Sequence, residues 1–155
     1  MKVYLTNLNE SWIVDRLREE WYQHNTSISV DSIKQAEIIW IIAPWLWKKI
    51  KKKHLRDKKV VCSIYHLEDK DFEHKQIRDF KKRDSFVDVY HVISLKTKNE
   101  LEKLTDKEII YIPFWSDQLS WYEIKDKDSL RKKYSLPLDA YILGSFQRDT
   151  EGTDL

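Results

Sequence analysis

His66 closes the apolar run "VVCSIYH" and is followed by Glu68, Asp69, Asp71 and His74. An imidazole among carboxylates can hold a metal ion or move a proton. The metal reading fails on spacing, which fits no recognised ligand pattern, and acids ahead of a helix serve its N-terminus instead. What remains is a histidine at the end of a buried strand that either faces a substrate or belongs to a surface loop. His66 is therefore the candidate catalytic residue, with no metal. A second constellation is "YILGSFQRDTEG", where Gly144, Ser145 and Arg148 follow an apolar run. A strand, a small-residue loop and an arginine open many phosphate-binding units in α/β proteins.

Polar side chains also follow the other apolar runs. Asn7, Asn9 and Glu10 come after "KVYLT", Ser94 after "DVYHVI" and Asp117 after "EIIYIPFW". In parallel α/β sheets, ligands bind beyond the carboxyl ends of the strands. These five residues are thus candidates for lining a cleft. The segment Trp45 to Lys59 holds seven lysines, one arginine and one acid. It reads either as a solvated basic helix face or as a membrane-surface element, with Trp47, Lys48, Lys51 and Lys52 against anionic lipid. Nucleic acid is not expected: no stacking platform or reading helix accompanies the lysines. The chain's 28 basic and 26 acidic residues leave a net charge of only +2, too little for a general attraction to polyanions.

These residues must be positioned by an alternating series of elements. Strands are predicted over residues 2–6, 37–43, 59–65, 88–94, 108–114 and 140–144, with a short one at "SISV". The middle runs are almost continuously apolar, as strands covered on both faces must be. Ile13, Leu17 and Trp21 recur every four residues and predict a helix. Further helices are predicted over 45–57, 71–83 and 129–134. Thr97 and Glu100 form a T-x-x-E capping box for a helix carrying Leu101 and Leu104. Residues 115–127 read as a loop or linker. The alternation implies a Rossmann-like, doubly wound parallel sheet of five or six strands, with helices on both faces. His91 falls inside a strand and reads as a packed residue.

Composition agrees with such a domain. The 155 residues are 41% apolar with seven tryptophans, enough for a real core. Two glycines and three prolines leave no room for a Gly-rich phosphate cradle before residue 144. Neither G-x-S-x-G nor a P-loop occurs, which argues against a hydrolase or a nucleotide switch. Cys62 is the only cysteine, so no disulfide can form within the chain, as suits a reducing compartment. The first residues lack a signal-peptide pattern. The apolar run Ile38 to Trp47 is too short to span a membrane and is broken by Pro44. A cytoplasmic protein is expected, with the lysines as the element that would hold it to a membrane face.

Residues 88–152 resemble, motif by motif, the retaining, nucleotide-sugar-dependent GT-B glycosyltransferases of the family 4 kind. "DVYHVISLKTKNELEKL" is similar to the strand, serine and helix late in that family's first domain. "IIYIPFWSDQLSWY" resembles its strand and Pro-Asn-Gly-Val-Asp loop, with Pro113 and Asp117 in register but Phe114 and Trp115 where Asn and Gly are usual. "SLRKKYSLP" resembles the helix that follows, and "YILGSFQRDTEG" the strand and Gly-Arg loop opening the second domain. His66 matches a histidine common in the first domain. The glycines usual in the first strand–helix loop are missing from "TNLNESW".

The resemblance implies a Rossmann-like acceptor-side domain over 1–124. It implies that 125–155 is a linker helix and the first strand and loop of a truncated nucleotide-sugar-binding domain. It implies sugar transfer from a nucleotide-diphosphate donor to an acceptor, with no cofactor beyond that substrate. Arg148, Ser145 and Gly144 would then meet the donor diphosphate. The alternative is a non-catalytic Rossmann-like module that binds a ligand or partner. An apolar strand at 140–144 without a second-domain sheet would be left with an open edge, and homodimerisation through this tail is expected.

Overall fold

The computed structural model describes residues 1–7, 9, 13–67, 74–115 and 122–144. The chain divides into two compact units, Met1–Asp117 and Gln118–Leu155. In the first, strands β1 (Val3–Leu5), β2 (Ile38–Ile41), β3 (Lys59–Ile64), β4 (Val89–Val92) and β5 (Glu108–Tyr111) form one sheet in the order β1-β2-β3-β4-β5. Every neighbouring pair is parallel. The fold is therefore α/β and Rossmann-like, as the alternation of elements predicts.

A sixth short segment extends the sheet. Ser29 forms an isolated parallel bridge with Val3. Around it, the Val3 amide donates to the Ile28 carbonyl at 2.8 Å and the Val30 amide to the Val3 carbonyl at 3.0 Å. The predicted "SISV" strand is thus a single bridge on the outer edge of β1. Its position matters more than its length. The chain leaves β1, returns on the outer side of β1, then crosses to β2 on the other side. Strand order reverses between β1 and β2.

The helices confirm that reversal. Residues paired in register point to the same face of a sheet and alternate residues to opposite faces. Trp40 shares a face with Val61 and Val89, so Tyr90 points the other way. Helix α1 (Ile13–His24) lies on the Trp40 face, with the Trp21 and Trp40 rings edge to face at 5.0 Å. Helix α3 (His74–Asp84) lies on the Tyr90 face, with Phe80 stacked on Tyr90 at 5.9 Å. Helices cover both faces, as a doubly wound sheet requires. The core sits between these layers, and Leu5, Ile39, Ile41, Val60, Cys62, Tyr90 and Val92 are fully buried.

Several predicted elements differ from the observed ones. The expected helix over 45–57 is a 3₁₀ helix, Pro44–Lys49, followed by a short helix α2, Lys52–Asp57. Lys51 between them is extended; the break lets Leu46, Trp47 and Leu55 all reach the core. The capping box at Thr97 and Glu100 is displaced by one turn. Helix α4 (Leu95–Leu101) starts earlier, and Ser94 is its cap, accepting from the Thr97 amide at 3.1 Å. Leu104 lies beyond the helix and is exposed.

In the second unit, helix α5 (Lys127–Lys133) is capped by Asp126, whose carboxylate accepts from the Ser129 amide at 3.0 Å. Ala140–Gly144 is not a strand. A strand needs a ladder, and no described strand pairs with this segment. The Arg131 guanidinium instead takes the carbonyls of Pro137, Leu138 and Ala140 at 2.8, 2.8 and 3.0 Å. That contact curls the chain back onto α5, and Tyr141 and Leu143 stay in solvent.

Candidate functional site

Because the sheet is parallel, Asn7, His66 and Ser94 all follow carboxyl ends of strands, those of β1, β3 and β4. They do not converge on one cavity. The reversal between β1 and β2 makes their carboxyl ends the crevice where such folds bind ligands. Thr6 ties those ends together, since its amide donates to the Trp40 carbonyl at 2.9 Å and its hydroxyl accepts from the Ile42 amide at 3.0 Å. Beside Thr6, on the α1 side, a polar cavity of about 240 Å³ is lined by Asn7, Asn9, Asp15, Arg18 and Glu19. Asn9 holds a left-handed backbone (φ 58°), which asparagine tolerates better than most residues. Its amide donates to the Asp15 carboxylate at 3.0 Å. The Arg18 Nε donates to the Leu5 carbonyl at 3.4 Å, and its guanidinium covers the Tyr22 ring. This loop is held by side chains where glycines would be expected.

His66 belongs to a different cavity, on the Tyr90 face. A groove of about 310 Å³ runs between the 3₁₀ helix and α3 and includes Trp45, Ile64, His66, Gln76, Asp79, Phe80 and Arg83. Gln76, Asp79, Phe80 and Arg83 recur at helical spacing, so one stripe of α3 forms a wall. Asp79 forms an ion pair with Lys48 at 2.7 Å. Arg83 is buried, with its guanidinium 5.1 Å from the Phe80 ring centroid. The sequence reading missed Gln76, Asp79 and Arg83. The available signal was an arginine on the same helical stripe as Phe80, where a solvated cation would not be placed.

Ser94 is spent on structure. Besides capping α4, its hydroxyl lies 2.9 Å from the Thr97 hydroxyl, which donates to the Tyr65 carbonyl at 3.2 Å. Trp47 is not a membrane-surface residue: it is buried, and its ring packs 6.1 Å from Phe86. The neighbouring Trp45, Lys48, Lys51 and Lys52 are exposed. Gly144 is exposed in the curled segment after α5. Glu10, Asp117, Ser145 and Arg148 lie outside the described residues.

A serine and a histidine do meet, but in the interior. The Trp40 indole donates to the Ser63 hydroxyl at 2.9 Å, Ser63 lies 2.9 Å from His91 Nδ1, and His91 Nε2 lies 2.9 Å from the Ile112 carbonyl. A carbonyl only accepts, so Nε2 carries the proton and Nδ1 accepts from Ser63. Burial holds the His91 pKa below the ordinary histidine value, against the opposing bond to Ile112. The order of groups resembles a nucleophilic relay. Ser63 is 1% exposed, however, and lines neither cavity. The chain of bonds is a strut across β2, β3 and β4. Cys62 is equally inert, its thiol pushed up to about 12 by burial. Among the described residues no helix is long and apolar enough to cross a membrane. No family model, curated protein or solved structure matches the chain.

Proposed function

We propose that the first unit is the acceptor-side domain of a GT-B-type glycosyltransferase that moves a sugar from a nucleotide-diphosphate donor. The observation that carries this reading is the fit of the first three motifs of the series to the elements; the fourth falls on Ala140–Gly144, which is not a strand. The strand–serine–helix motif falls on β4, the Ser94 cap and α4, and the next motif on β5 leading to Pro113. The "SLRKKYSLP" motif falls on α5 and the residues that follow it. The reversal of strand order between β1 and β2 supplies the kind of crevice in which such a domain receives a ligand.

The chemistry gives each part a task. Glycosyl transfer passes through an oxocarbenium-like state while a diphosphate departs. His66, exposed beyond β3, would meet the reacting sugar or the acceptor hydroxyl. Arg148 would neutralise the leaving diphosphate through paired N–H donors. The donor and acceptor are tested together by incubating a full-length enzyme that contains this chain with UDP-, GDP- and ADP-hexoses and a panel of lipid and glycan acceptors; the 155 residues alone are expected to be inactive. Sugar incorporation by the full-length enzyme is expected, and His66→Ala and Arg148→Ala should each slow it by about 100-fold, on the order of 3 kcal/mol. No incorporation, or incorporation that neither substitution slows, would reject the transferase in favour of a non-catalytic ligand-binding module.

A further inference from the structure

The groove between the 3₁₀ helix and α3 contains a buried cation that no described carboxylate pairs with directly. Arg83 is 8% exposed. Its Nε has no hydrogen-bond partner, and among the described residues it forms no ion pair. Its guanidinium lies over the Phe80 ring and is hydrogen-bonded to the Tyr90 hydroxyl, and it opposes the rise that burial causes in the Tyr90 and Cys62 pKa values. Neither neighbouring carboxylate pairs with it directly, and Asp84 meets it only through that Tyr90 hydroxyl. Asp79 pairs with Lys48 at 2.7 Å, and Asp84 accepts from Tyr90 at 3.1 Å and Thr105 at 2.7 Å. A buried cation without a counter-charge is costly. Here it lines an open cavity of about 310 Å³, room for a small molecule that could supply the missing charge.

We propose that this groove binds a small ligand carrying an oxyanion, a phosphate or carboxylate, with Arg83 as its charge partner. The guanidinium offers forked donors that suit either group. Gln76 lines the same wall and adds a neutral donor. Trp45, Leu67 and Phe80 make the remaining surface apolar and aromatic, so the body of the ligand is a ring with an apolar face, such as a pyranose. Asp79 also lines the groove, and its pairing with Lys48 keeps it from repelling an anion. The groove shares His66 with the transferase reading, but binding here needs no transfer chemistry. It lies on the Tyr90 face, apart from the Asn7 cavity.

The test is a titration of the whole protein with glucose 1-phosphate, glucuronate, inorganic phosphate and neutral glucose, followed by amide NMR and melting temperature. The two anionic sugars should shift amides around Gln76, Phe80 and Arg83 saturably and raise the melting temperature, and glucose should do neither. A stronger response to glucose 1-phosphate than to glucuronate assigns a phosphate ligand, and the reverse a carboxylate. Arg83→Met should weaken binding at least about tenfold and leave the ligand-free protein as stable as wild type or more so, because an unbalanced charge is gone. Arg83→Lys keeps the charge without the fork and should bind with intermediate affinity. Absence of shifts with every anion, equal shifts with neutral glucose, or undiminished binding by Arg83→Met or Arg83→Lys would overturn the proposal. If Arg83→Met does not fold, the arginine is a structural member of the core and the proposal also fails. A negative transfer assay with positive shifts here would reject the transferase alone.

Discussion

Replacing Ser63 with alanine should destabilise the first unit far more than the loss of one hydroxyl suggests. Ser63 is the middle of a directional chain: it accepts from the Trp40 indole and donates to His91 Nδ1, both at 2.9 Å. Ser63→Ala leaves the N–H of half-buried Trp40 and a buried ring nitrogen without partners at once. His91 cannot repair the loss by changing tautomer, because its Nε2 must keep the proton that binds the Ile112 carbonyl. Each orphaned group costs about 1–3 kcal/mol, so the expected loss is about 2–6 kcal/mol. That is a large share of the roughly 5–15 kcal/mol that holds a domain folded. Urea unfolding followed by tryptophan fluorescence and circular dichroism measures it. Ser85→Ala is the matched control: its hydroxyl donates to the Lys82 carbonyl at 2.8 Å on the surface, and its loss should stay within about 0.5 kcal/mol. Adding His91→Phe to Ser63→Ala removes one orphan and should recover part of the loss, a coupling of about 0.5–3 kcal/mol. A Ser63→Ala loss no larger than that of Ser85→Ala would refute the strut.

Two further outcomes are expected. His91 has a lowered pKa in the folded state, so below its unfolded value of 6.5 the unfolded chain takes up the proton first. Stability therefore falls on acidification from that point, by at most about 1.4 kcal/mol per pH unit, and His91→Gln should flatten this part of the profile; parallel profiles would exclude His91 as its source. The exposed Tyr141 and Leu143 should drive self-association of the chain, seen by light scattering as a larger species than a form ending at Leu136; two monomers of equal stability would dismiss the tail as a contact.

The sheet was legible because its strands are written redundantly. "EIIWIIA", "KVVCSIY" and "DVYHVIS" are apolar on both faces, and only a strand buried on both sides needs that. The edges were less legible for the same reason. Ser29 joins the sheet through one bridge, and nothing in "TSISV" separates one bridge from a full strand. Where local signals compete, packing decided. The run "PWLWKKIKKKHL" carries too many lysines on too many sides for a simple amphipathic helix. The fold resolves this by breaking the run at Lys51 and turning Trp47 inward. The apolar "YILG" has the composition of a strand, yet no described strand pairs with it and Arg131 takes its neighbouring carbonyls.

The residues that could do chemistry were harder to read than the fold, and the reason is direction. Sequence position tells that His66 and Asn7 follow strands, and the parallel sheet puts both at its carboxyl edge. It does not tell to which face the chain then turns. Asn7 turns toward α1 and His66 toward α3, so two residues that read as one cleft line two cavities. Burial is the second missing quantity. Arg83 sits in "KKRD", among residues that a sequence reading assigns to solvent, and only the stacking of Phe80 on Tyr90 brings that turn of α3 down onto the sheet. A cation drawn beneath a helix by its neighbour's ring is energetically unlike the lysines beside it. The same three letters of charge therefore hold two exposed cations and one buried cation, and it is the buried one that forms no ion pair among the described residues.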